Sequence, residues 1–138
     1  MKRQLIFPRS LWQAIASHFC TTDHEQAALA YASLCQSPDR FRLLVNEVEL
    51  LSAPDLEAQT GTHVVPTPET IANAVGKAIA SGRALIHLHN HPWHGPTAFS
   101  DTDRATFHKT SVWASATFQL TQAAVVLGAD AGEVDAVV

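Results

Sequence analysis

A chain of 138 residues is the usual size of one domain and can bury a single core. Its 46% hydrophobic and 16% charged residues describe a globular protein, and a formal net charge of −4 with no clustered run of Lys and Arg argues against a nucleic-acid partner. No run approaches the roughly eighteen apolar residues of a membrane span, and Met1-Lys2-Arg3 leads into too short an apolar run for a signal peptide, so a cytoplasmic protein without a membrane partner is expected.

Taken in order, residues 4–7 read as a short first strand. Pro8 suits the first turn of a helix over residues 8–19, where its missing N–H costs nothing, and Leu11, Trp12, Ile15, Ala16 and Phe19 recur there at helical spacing. Residues 25–35 are apolar and rich in small side chains, and propensity by itself favours a helix there. Ser37-Pro38-Asp39 is a turn, after which residues 41–51 alternate as an antiparallel strand. Between 52 and 68 turn and polar residues surround Thr62-His63-Val64-Val65, which reads as one short strand. Thr67 is the predicted N-cap of a helix whose apolar face is Ile71, Ala74, Val75, Ala78 and Ile79, and Ser81-Gly82 ends it. A strand at 84–91, a loop, a helix over 100–115, a strand at 122–128, a turn at 130–133 and a last strand at 134–138 complete the chain. Cys20 and Cys35 are too few and too far apart for a disulfide framework or a CxxC metal site, and read as free thiols in a reducing compartment.

The chemistry concentrates in the segment from 84 to 103, which holds four of the eight histidines. His87, His89 and His91 alternate and so share one face of an extended strand, with neighbours about 7 Å apart at Cα. His89 and His91 are thus close enough for both imidazoles to reach one ion. Pro92 stops the strand, and Ser100 reads as the N-cap of a helix that carries Asp103 in its first turn. That carboxylate can return to the strand end as a third ligand. Two His, one carboxylate and an open position describe a catalytic zinc rather than a structural one. His87, one strand step away, is expected beside the ligands or in the core, not on the metal. His94 lies in the loop, able to meet substrate or solvent. Trp93, Pro96 and Phe99 would form an apolar rim for an extended peptide, while Trp12 and Trp113 are expected in the core. His18, His24, His63 and His108 belong to no constellation.

His89-Asn90-His91-Pro92 followed by Ser100-Asp101-Thr102-Asp103 resembles the JAMM motif of the JAB/MPN zinc metallopeptidases. The interval from His91 to Asp103 is a residue longer than in many members, a difference that a loop absorbs. The order of elements agrees over roughly residues 3–138, and by that order residues 25–35 become a buried strand with Glu25 where the family has its upstream glutamate. The resemblance implies an α/β fold of the MPN or cytidine-deaminase-like kind, a mixed curved sheet flanked by helices. It implies zinc (Zn2+) held by His89, His91 and Asp103, with Glu25 and Ser100 catalytic, Glu25 as proton acceptor and Ser100 as oxyanion donor. The implied substrate is the tail of a ubiquitin-like or sulfur-carrier protein, cut after its C-terminal glycine. The chain ends within a strand, which reads as one JAB/MPN domain excised from a longer polypeptide, the family often being fused to an enzyme that activates ubiquitin-like proteins. Rival readings are a sulfur-carrier trimming peptidase, a metal-free MPN scaffold, and a DNA-repair role that the acidic charge disfavours.

Overall fold

The computed structural model describes residues 1–21, 23–93, 97–129 and 134–137, so the turn expected at 130–133 lies outside the described residues, as do His94, Gly95 and Pro96. Its elements are β1 (Lys2–Ile6), α1 (Arg9–Phe19), β2 (Ala27–Ser37), β3 (Arg40–Leu50), β4 (Leu56–Gln59), β5 (Val64–Pro66), α2 (Pro68–Ser81), β6 (Ala84–Asn90), α3 (Asp101–Phe118), β7 (Gln122–Leu127) and β8 (Val134–Val137). Six strands form one mixed sheet in the order β1-β3-β2-β6-β7-β8, and β4 pairs with β5 in a second, small sheet. β1 lies parallel to β3 and β6 parallel to β7, while the other neighbours are antiparallel. The fold class is therefore mixed α/β.

β6 is central because both its faces are covered. Ala84, Ile86 and Leu88 join Ala28, Ala30, Val125 and Leu127 beneath Ile15 and Phe19 of α1. On the opposite face Leu85 packs with Leu29 and Tyr31 beneath Ala74, Val75 and Ala78 of α2 and Ala114 of α3. The same double coverage explains why β2 is a strand. Its alanines have helical propensity, but Ala27 to Ala32 are buried between two hydrogen-bonded neighbours and small side chains let helices approach both faces.

Helix α2 starts and stops as its sequence dictates, with the Thr67 side chain accepting from the N–H of Thr70 and Gly82 taking the left-handed conformation at φ 63°. Ile79, expected on its apolar face, is instead exposed, since the stripe that meets the sheet is Ile71, Ala74, Val75 and Ala78. Trp113 is also corrected, being 52% exposed with Phe118 set edge-on to it. The inward side of α3 is set by Asp103, Phe107, Thr110 and Ala114, spaced four, three and four apart, and Trp113 lies about 100° round the helix from Ala114. Trp12 is half-buried, packed edge-on to Phe7 against the α1 core. β4 went unseen in the sequence because Leu56-Glu57-Ala58-Gln59 has no β-branched residue, and its pairing with β5 makes it a strand.

Candidate metal centre

The parallel neighbours β6 and β7 end side by side, and crevices at the carboxyl ends of such strands are where α/β sheets place their sites. The backbone N–H of His91 donates to the carbonyl of Leu127 at 2.8 Å, so the chain stays extended one residue past β6 before Pro92. His89 and His91 consequently point to the same side, with their Nε2 atoms 3.3 Å apart. The ring of Trp93 stacks on His91, 4.3 Å between centroids, and helps to fix the plane of that imidazole.

Asp103 arrives from the first turn of α3. The helix opens with a reciprocal capping box in which the Asp103 N–H donates to Ser100 Oγ (3.1 Å) and the Ser100 N–H donates to Asp103 Oδ2 (2.8 Å). That same oxygen lies 3.5 Å from His89 Nε2 and 3.4 Å from His91 Nε2. Three ligand atoms thus form a nearly equilateral triangle. Tetrahedral ligands at metal distances of roughly 2.0–2.1 Å stand about 3.3–3.4 Å from one another, so the donor set fits one face of such a site and leaves a fourth vertex open. His89, His91 and Asp103 can hold a metal ion. Burial opposes the charge on Asp103, but interactions with His89 and His91 and the hydrogen bond from Ser100 together outweigh it and hold this carboxyl far below its ordinary range.

Glu25 completes the cluster from a distant part of the chain. β2 and β6 pair antiparallel with Ala27 opposite His89, and continuing that register by two residues brings Glu25 opposite His91. Its side chain is buried, the residue only 4% exposed, with Oε1 3.9 Å from His91 Nε2. Burial raises its pKa, against the pull of His89, His91 and His63. The backbone around it is pinned, since Glu25 N–H donates to Thr60 O (2.8 Å) and Gln59 Nε2 donates to Glu25 O (3.0 Å).

Asn90, between the two histidines, is a residue that sequence reasoning missed. Its side chain is on the α1 side of β6 and 1% exposed, with Oδ1 accepting from Gln26 N–H at 2.6 Å and Nδ2 donating to Phe19 O at 3.1 Å. One amide therefore ties the end of α1 and the Glu25 segment to β6. Its only advance signal was a polar residue on the apolar face of a strand. Asn90→Ala orphans a buried N–H and a buried carbonyl and is expected to destabilise the fold by on the order of 3 kcal/mol. A urea-unfolding midpoint equal to that of the parent would remove this role.

Beside the cluster lies a cavity of about 220 Å³, lined at the cluster by Glu25, His89 and Asp103 and walled by β5, α2 and α3. His87 lines it, with Nε2 2.8 Å from Gln122 Oε1, and burial lowers its pKa, so the neutral ring donates to Gln122 and stands apart from the three converging ligand atoms. Phe99, expected at the rim, is buried in the cavity wall 6.0 Å from the His89 ring, whereas Trp93 is exposed. Ser100 is exposed at the helix start, its Oγ accepting from Asp103 and its own hydrogen left to donate. His63, which belongs to no constellation in the sequence, also lines the cavity near Glu25. Cys20 and Cys35 are free, and among the described residues no helix is long and apolar enough to cross a membrane. Compared with protein-family models and with curated proteins, the chain matches none.

Proposed function

We propose that this chain is a zinc-dependent amide hydrolase of the JAMM type on an MPN-like fold, cutting after the C-terminal glycine of a ubiquitin-like or sulfur-carrier protein. The observation that carries the reading is the buried Glu25 carboxylate, 3.9 Å from a histidine of a three-ligand triangle that has an open vertex. A structural site needs four closed ligands and no such acid. The resemblance of His89-Asn90-His91-Pro92 and Ser100-Asp101-Thr102-Asp103 to the JAMM motif supports the same chemistry and supplies the substrate class.

Zinc held by His89, His91 and Asp103 would act as a Lewis acid that brings the pKa of water toward ~7. Glu25, buried 3.9 Å from His91 Nε2, takes a proton from the attacking water and holds it until the C–N bond breaks. It then delivers the proton to the leaving amine, so that water is divided between a new carboxylate and a free amine. Ser100 Oγ–H donates to the carbonyl oxygen as charge develops there, a role compatible with accepting from Asp103 N–H. A ubiquitin-activating-like enzyme, fused or associated, is the partner this reading proposes.

The test pairs elemental analysis with a panel of ubiquitin-like fusions. About one zinc per chain is expected, with cleavage after the terminal glycine that a chelator abolishes and zinc restores. A chain that takes up no zinc and cuts no fusion would be an assembly domain instead.

A further inference from the structure

The cavity adjoining the cluster is deeper than the reaction needs. Its α3 wall runs from Asp103 to Thr110, two turns or roughly 10 Å of helix. Leu29, His87 and Ala124, from the adjacent strands β2, β6 and β7, belong to the sheet and close its floor. Ile71 of α2, Val64 and Val65 of β5 and Phe107 of α3 make its walls largely apolar. A diglycine tail has no side chain to put there.

We propose that this cavity is a side-chain pocket for a bulky apolar residue, such as Leu, Met or Phe, that immediately follows the scissile bond, a proposal that rests on the hydrolase reading above for its substrate. The side of the bond follows from the two catalytic groups. Glu25 lines the cavity and Ser100 does not, so the leaving amine, which must reach Glu25, brings its own side chain to the cavity mouth while the carbonyl oxygen turns to Ser100. Because the sheet closes the floor, the pocket admits a side chain that ends freely. A lysine stem offers this apolar lining less surface than Leu, Met or Phe and carries a folded protein at its far end. The preferred substrate is therefore a linear carboxy-terminal extension beginning with an apolar residue, rather than a branched conjugate.

Two measurements test this. Short peptides with a free amino terminus and Phe, Leu, Gly or Asp in first position, mimicking the released product, are titrated into the chain and followed by amide chemical shifts. Phe and Leu peptides are expected to bind at least about tenfold more tightly than Gly or Asp peptides, the least that an apolar pocket normally yields for such differences, and to shift Thr110 and Ala124. Thr110→Phe, which fills the pocket from α3, is expected to erase that preference. In the parent, Phe and Leu fusions should be cut at least tenfold faster than Gly or Asp fusions and than an isopeptide-linked conjugate. Equal binding of all four peptides, or an isopeptide cut as fast as the Leu fusion, overturns the pocket. Selective binding without cleavage of any fusion leaves the pocket standing and removes the hydrolase reading, and the titration needs no variant to fold.

Discussion

Glu25→Gln should leave zinc bound and lower turnover by about 10²–10⁴-fold, the range over which a positioned proton acceptor acts. Glutamine keeps the shape of the buried side chain and its hydrogen-bonding capacity but cannot take a proton from water. The three side chains that can hold the metal are untouched, since Glu25 Oε1 is 3.9 Å from His91 Nε2 and outside the triangle. The same substitution has a second signature in the metal-free chain. Burial raises the folded-state pKa of Glu25 above its ordinary value, so the contribution of its protonated form to stability is complete below the unfolded pKa of ~4.3 and is lost as pH rises through the folded pKa. Above that folded pKa the parent carries an ionised buried carboxylate that Gln removes. Metal-free Glu25→Gln should therefore melt above the metal-free parent at pH 8, and the gap should narrow toward pH 4. Equal activity, or a lower melting temperature at pH 8, would separate Glu25 from the chemistry assigned to it.

Much of this site is legible in the sequence because it rests on short-range rules. Two histidines of one strand face share a side, a proline ends that strand, and a Ser-x-x-Asp box starts the next helix with its carboxylate turned back. Glu25 is different in kind. Nothing local marks it, and only the register of β2 against β6, a property of the sheet, brings it to His91. The two missed tethers have the same origin, for Asn90 and Gln59 matter through backbone groups of Phe19, Glu25 and Gln26 that lie far away in the chain. Trp113 failed as a core residue for a related reason. Apolarity alone put it inside, but α3 is oriented by the need to seat Asp103 over the β6 end, and that orientation commits Phe107, Thr110 and Ala114 to the inside and turns Trp113 to solvent.

Asp103 offers the second large effect, because one oxygen serves both the helix and the metal triangle. Oδ2 accepts from Ser100 N–H at 2.8 Å and faces both imidazoles within 3.5 Å. Asparagine can still accept from Ser100 with its carbonyl, but it is neutral, so it keeps the capping geometry while losing the charged ligand and the favourable interaction of a carboxylate with the helix N-terminus. Asp103→Asn is expected to cost at least about 0.3–1 kcal/mol in the metal-free chain, the share of the helix N-terminus alone, and to weaken zinc binding by more than about 100-fold, beyond what loss of an outer hydrogen-bond partner costs. Asp103→Ala removes the box as well and should cost at least about 1 kcal/mol. The pH dependence runs opposite to that of Glu25. A carboxyl held below its ordinary pKa stabilises the fold above the unfolded value of ~3.9 and loses that contribution as pH falls through its folded pKa, so the gap between parent and Asp103→Ala should persist at pH 5 and close only in strong acid. Zinc titration of the two variants beside their melting curves separates ligand from cap, and an Asp103→Asn chain that binds zinc as tightly as the parent would move the third ligand to another residue.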